Sequence, residues 1–320
     1  MSKFDPYEFL KVACNPDGTF TRNMVERQSD AEPDESSGVT VVSKDVTFNK
    51  EKNAWVRLYR PTKIPSNDGT AVRLPIVIYF HGGFWIHVTA RDTVCHEFCK
   101  SVSTMLTAIV VSVNYRLAPE NRLPAQYEDA VDAIHWVRDQ GMPHNLNPEP
   151  WLHNYGDFSR SYLYGMGTGG NVAFFAALRI GETNLEPMKI DGLILSQPMF
   201  GGLQRTKSEI RFATDPLLPL PALDLMWELT LPKWVDRDHR YCNPLIDGTH
   251  KDKLRQLPRC LVVGFGMDPL IDRQQDFVTM LVMAGVRVEA RFDEIGFHGI
   301  DYVDTRRTDA VIGVVKEFMH

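Results

Sequence analysis

The chain has 320 residues, with 35 basic and 41 acidic side chains for a formal charge of −6, and is 43% hydrophobic and 24% charged. An acidic excess that is spread rather than blocked gives no electrostatic footprint for nucleic acid or an anionic membrane surface, so a small molecule or another protein is the expected partner. The composition is globular, and the length suits one large α/β domain or two smaller ones.

Five cysteines, Cys14, Cys95, Cys99, Cys242 and Cys260, are odd in number and form no C-x-x-C pair. They imply neither a disulfide framework nor a structural zinc site, and read as buried thiols in a reducing compartment. The start, Met1-Ser-Lys-Phe-Asp-Pro-Tyr-Glu8, has acids and a proline where a secretion signal would be basic and then apolar. No stretch reaches the roughly 18 apolar residues of a membrane span. The expectation is a cytoplasmic protein, monomeric or homodimeric, with no membrane or nucleic-acid partner.

In chain order, residues 1–38 fit no α/β alternation and end in a polar, proline-containing run from Arg27 to Gly38. Val39–Phe48 and Ala54–Arg60 alternate in polarity across Asn49-Lys-Glu-Lys-Asn53, as an antiparallel hairpin at a sheet edge would. Buried strands follow at Pro75–Phe80, Thr107–Val113, Ser161–Tyr164, Gly192–Leu195, Cys260–Val263 and Val286–Phe292. Crossover helices lie between them: Tyr127–Asp139, with Ala130, Ile134 and Val137 on one stripe, and Asp268–Ala284, with Phe277, Leu281 and Val282. The pattern predicts an α/β fold with a mostly parallel sheet flanked by helices. Residues of about 205–247 break it. Their apolar, proline-broken core, Leu217–Leu231, reads as a lid over the carboxyl ends of the strands.

Three strand ends carry chemistry. Pro75–Phe80 runs into His81-Gly82-Gly83-Phe84-Trp85, where glycines let backbone N–H groups point into a cleft, as an oxyanion hole requires. Ser161–Tyr164 runs into Gly165-Met-Gly167-Thr168-Gly169-Gly170. This matches the dinucleotide fingerprint G-x-G-x-x-G, but the next strand ends in Ser196-Gln197-Pro198 without the acid that would hold a ribose. It also matches a nucleophile elbow, G-x-S-x-G, with Gly167 in the serine's place. Downstream, Asp268 follows the strand ending at Val263 and His298 the one ending at Phe292, giving the chain order nucleophile, acid, histidine. His96 and Cys99 lack further metal ligands and read as a helix face; no metal or cofactor is expected.

With these motifs the sequence resembles plant carboxylesterases of the hormone-sensitive-lipase-like group over nearly its whole length. Leu10–Arg22, Val113–Ala125, Trp151–Arg160, Arg237–Pro244 and Asp268–Arg273 match as well. Esterases of alkaloid pathways, gibberellin receptors, a dehydratase of isoflavonoid metabolism and alkaloid cyclases are similar. The resemblance implies one α/β-hydrolase domain with residues 1–38 as an amino-terminal cap segment. It makes Asp268 the triad acid, His298 the base, and Gly83, Phe84 and Thr168 the oxyanion amides. By their place in and just beyond the glycine cluster, Gly82, Trp85 and His87 are expected to line the substrate site.

Two positions depart from that pattern: Gly167 stands at the nucleophile and Phe84 at the third glycine of His-Gly-Gly-Gly. Loss of a triad serine costs about 10⁶-fold in turnover. A bulky residue at 84 resists the backbone angles that glycine adopts and puts a ring near the reacting centre. The expected function is a non-hydrolytic step, cyclisation, elimination or isomerisation, on a small apolar plant metabolite such as an alkaloid, with His298 moving the proton. One alternative is a carboxylesterase of small acyl esters, weak through a His298-activated water or silenced by Gly167. Another is a non-catalytic binder like the gibberellin receptors, a class that keeps the serine and loses the histidine.

Overall fold

Runs of β-branched and aromatic residues build a sheet buried on both faces. The computed structural model describes residues 4–24, 26–67 and 70–320; Met1–Lys3 and Val25, part of the expected cap segment, lie outside them. Eight strands form the main sheet: β1 (Val41–Asn49), β2 (Ala54–Pro61), β3 (Leu74–Phe80), β4 (Ile109–Asn114), β5 (Gly156–Met166), β6 (Ile190–Ser196), β7 (Arg259–Phe265) and β8 (Val288–Asp293). Their spatial order is β8-β7-β6-β5-β3-β4-β2-β1. All neighbours from β8 to β4 are parallel, whereas β2 runs antiparallel to both β4 and β1.

The flanking helices are α1 (Thr93–Leu106), α2 (Ala125–Gln140), α3 (Thr168–Ile180), α4 (Leu220–Thr230), α5 (Ile271–Met283) and α6 (Thr305–Met319). Period-two alternation divides the core between two faces. Ile76, Ile78 and Phe80 of β3 join Tyr127 of α2, Phe174 of α3 and Phe277 of α5 on one side. Val77 and Tyr79 join Phe98 of α1 and Ile312 of α6 on the other.

Register sets the site. Gly165 pairs with Phe80, Ser196 with both Met166 and Val263, and Phe265 with Asp293, so the loops after β3, β5, β6, β7 and β8 all leave at one end of the sheet.

Four points differ from the sequence reading. On α5, Phe277 and Leu281 are fully buried but Val282 is 56% exposed, because five residues beyond Phe277 the helix has turned well off the stripe. The same helix starts at Ile271 rather than Asp268, since the Asp268 carboxylate caps the amide of Leu270 at 2.8 Å and closes a turn first. Leu217–Leu231 is not a loop broken by prolines: Pro221 sits in the first turn of α4, where its missing N–H costs nothing. Cys14, unlike the other four cysteines, is exposed.

Candidate active site

The turn from β5 into α3 places Gly167 at φ 54°, ψ −117°, a backbone region that essentially only glycine occupies without strain. Packing explains the glycines on either side. A Cβ on Gly165 would lie 2.1 Å from the Gly169 carbonyl oxygen, and one on Gly169 would lie 1.9 Å from that of Phe80. The Gly167 N–H donates to Ser196 O at 2.9 Å, and its carbonyl accepts from the amides of Gly170 and Met199 at 3.0 Å each. These contacts hold the sharp elbow from both sides.

His298 faces the apex of that turn. A Cβ built on Gly167 would meet His298 Nε2 at 3.2 Å and Cε1 at 3.9 Å, with no other described atom within 4 Å apart from its chain neighbours. On the opposite edge of the ring, Nδ1 lies 2.8 Å from Asp268 Oδ2. That carboxylate is fully buried and also accepts from Gln274 Nε2 at 2.8 Å and from the Leu270 amide. An acceptor at Nδ1 assigns the proton there in the neutral ring and leaves Nε2 as the free base aimed at residue 167. Burial disfavours the charged ring, but the Asp268 carboxylate beside it outweighs that and holds His298 above its ordinary value. The sequence therefore brings Gly167, His298 and Asp268 into one cluster, although they lie on three separate strand ends.

The loop after β3 forms the neighbouring wall. His81 is fully buried, stacks on Tyr115 at 4.2 Å and is driven down to about 4 by burial, so it is neutral. Gly83 has φ 101°, and a Cβ there would lie 2.4 Å from that of Val88. Phe84 and Trp85 follow at φ 59° and 60°, two bulky residues in succession in the left-handed region. The resistance expected of Phe84 is thus overcome. The amides of Ile86 and His87 both donate to Gly83 O, and the fully buried Trp85 ring packs on Trp227 of α4 at 4.9 Å. The closed turn and that ring contact hold the strained backbone.

Thr168 is buried and opens α3, so its amide is among those left free at a helix start. Gly82 is buried beside the Met166 carbonyl. His87 has another occupation than lining a cleft: its Nε2 lies 2.5 Å from Leu10 O, tying down the amino-terminal segment. Arg22 continues that tie, donating to the carbonyls of Ile86 at 2.6 Å and Ala118 at 2.7 Å.

Sequence reasoning missed the residues that brace the dyad. Gln274 lies one turn into α5, and no motif marks it. Arg273 and Glu209 are both buried and paired at 3.0 Å, and the Ser208 amide donates to Asp272 at 2.8 Å, fastening residues of the mid-chain segment beside the Asp268 loop. Only an apolar helix face interrupted by Arg273-Gln274 could have signalled them. Gln197 and Asp301, buried behind His298, also went unnoticed. Among the described residues no group of three or more His, Cys, Asp or Glu side chains is placed to hold a metal ion.

Comparison with known proteins places these features in context. A family model described as the α/β-hydrolase fold matches residues 77–301. The chain is 51% identical to probable carboxylesterase 9 of Arabidopsis thaliana, over 99% of this chain and 97% of that one. It is 46% identical to a 3-O-acetylpapaveroxine carboxylesterase of Papaver somniferum, over 98% and 99% of the two chains, and 34% identical to an Arabidopsis gibberellin receptor over 90% and 86%. Among solved structures, an esterase of the archaeon Pyrobaculum calidifontis aligns with a TM-score of 0.69 at 25% identity, over 87% and 84% of the chains.

Proposed function

This chain belongs to the α/β-hydrolase family, among the plant carboxylesterases, and we propose that it is a proton-transfer enzyme that forms no acyl-enzyme. The observation that supports this reading is His298 Nε2 aimed at an elbow whose apex is a glycine, with Nδ1 held at 2.8 Å by a buried carboxylate. A base so oriented takes a proton from a substrate carbon or hydroxyl and, as imidazolium, returns it to a leaving group or product. The chemistry open to it is elimination, isomerisation or ring closure of a small apolar metabolite. Esterified alkaloids are the first candidates, given the name of the Papaver relatives. Residues of the amino-terminal segment and of 205–247 would form the lid, since both meet the loop after β3.

The absence of a side chain at the elbow favours one second reading. With His298 the only residue other than the chain neighbours within 4 Å of the Cβ position, a water there would be activated by Nε2 for slow ester hydrolysis. Incubation with 3-O-acetylpapaveroxine in ¹⁸O-water separates the two by mass spectrometry. Proton transfer gives a product or released acid free of ¹⁸O and no turnover by His298→Ala. Hydrolysis places ¹⁸O in the acetate, and undiminished conversion by His298→Ala overturns both.

A further inference from the structure

Behind His298 lies a second set of buried polar side chains that the proton-transfer reading does not use. Gln197, the residue after β6, is fully buried with φ 48°. Its Nε2 donates to Asp301 Oδ1 at 2.7 Å, and its Oε1 accepts the N–H of Gly299 at 2.6 Å. Asp301 is also fully buried, and its Oδ2 accepts from Ser196 Oγ at 3.2 Å. The orientation of the amide is forced, because only its oxygen can accept from the Gly299 N–H; its nitrogen must then face an acceptor on Asp301. Gly299 is the residue after His298, so this bond fixes the backbone that carries the imidazole.

A fully buried carboxylate normally has a cationic partner. Among the described residues the Asp301 carboxylate has no Lys, Arg or His within 4 Å; its partners are Gln197 and Ser196, and His298 acts on it from beyond that distance. A merely structural role would be served as well by an uncharged amide.

We propose that Gln197 and Asp301 are positioning residues for His298: Gln197 clamps the loop that carries the ring, and Asp301, which holds the Gln197 amide in place, adds negative charge near the imidazolium when it is ionised. The charged groups that weigh on His298 come from three elements. Asp268 lies on the loop between β7 and α5, Asp301 on the short helix Ile300–Val303, and Asp215 on the turn after the helix Lys207–Arg211. All are carboxylates. Burial holds the Asp301 carboxyl above the usual carboxylate range, opposed by Gln197, Ser196 and the charge of His298 itself. Forming the imidazolium and ionising Asp301 therefore favour each other. Two carboxylates let His298 keep an abstracted proton long enough to deliver it. The catalytic consequence rests on the proton-transfer reading, but the titration of the ring does not.

Asp301→Asn tests this cleanly. Asparagine keeps an oxygen for Gln197 Nε2 and offers its NH₂ to Ser196 Oγ, so the hydrogen bonds survive and only the charge is lost. The His298 ring is followed by ¹H–¹³C NMR across pH in the wild type and the variant. Its pKa is expected to fall by about half a unit or more, where one unit is a tenfold change in protonation. Gln197→Met, which keeps bulk but removes both hydrogen bonds, is expected to lower it too and to broaden the ring resonance. Superimposable titration curves in a folded variant overturn the proposal. The ¹⁸O experiment can fail without touching this result, so failure of the two readings is distinguishable.

Discussion

Gly167→Ser probes the elbow most directly, and its consequences can be worked from the geometry. The serine would sit at φ 54°, ψ −117°, a strain of about 1–3 kcal/mol for a non-glycine residue. Its Cβ would lie 3.2 Å from His298 Nε2, so the ring must retreat by a few tenths of an ångström. Asp268, pinned by Gln274 and the Leu270 amide at 2.8 Å, does not move, and Gln197 holds the loop at Gly299, so the accommodation falls on rotation of the imidazole about its own side-chain bonds. The expected stability loss lowers Tm by a few degrees, at about 2–4 °C per kcal/mol in large domains.

The catalytic side is larger. A triad nucleophile contributes on the order of 10⁶ in kcat, while one weakened oxyanion donor removes about 10²–10³. With Phe84 in the hole, Gly167→Ser should raise p-nitrophenyl acetate hydrolysis about 10³- to 10⁴-fold over the parent. It should also give a burst of p-nitrophenol and a phosphonyl adduct on residue 167 by mass spectrometry. A folded variant with neither burst nor adduct would refute the claim that Nε2 addresses the elbow apex.

Two further outcomes follow from the same contacts. Because Asp268 raises His298 above its ordinary value, base-dependent turnover should be low in weak acid and rise as pH passes that raised value; Asp268→Asn should move the rise to lower pH in a pH–rate profile. The matching stability contribution runs the other way, being complete below the unfolded histidine value and lost as pH climbs through the folded one. Arg273→Ala leaves Glu209 buried and unpaired, which should cost about 3–5 kcal/mol in denaturant melts, whereas replacing both by leucine-sized apolar residues should cost far less.

The scaffold was legible because its signals are local. Near-continuous apolar runs such as Ile76–Phe80 can only be central strands, and the glycines at 165 and 169 announce a turn where a Cβ would strike backbone at about 2 Å. The order of Gly167, Asp268 and His298 was legible for the same reason, each lying just past its own strand. The braces were not. Gln197, Gln274 and Asp301 act through contacts spanning up to 105 residues, and nothing in the periodicity of β6, α5 or the short helix after His298 marks a buried polar side chain from an exposed one. Val282 failed for a simpler reason, since a stripe drawn from three residues of one helix tolerates an error of one position.

Strain gives the last clue to what the site is for. In an elbow built for a serine, the positive φ at the apex is where backbone strain is stored; glycine at 167 releases it. Here the strained non-glycine backbone lies instead at Phe84 and Trp85, next to the cleft. Such conformations persist only where the surroundings over-determine them. The surroundings are explicit: Gly83 O receives two amides, Trp227 packs on Trp85, and Leu10 and Arg22 of the amino-terminal segment lock the residues just beyond. A turn held this firmly fixes the half-buried Phe84 ring beside the elbow, while the Trp85 ring is buried against Trp227. With the nucleophile's strain gone and the turn's strain maintained, the backbone strain at this site sits beside the elbow rather than at its apex, as the proposed proton transfer without an acyl-enzyme predicts.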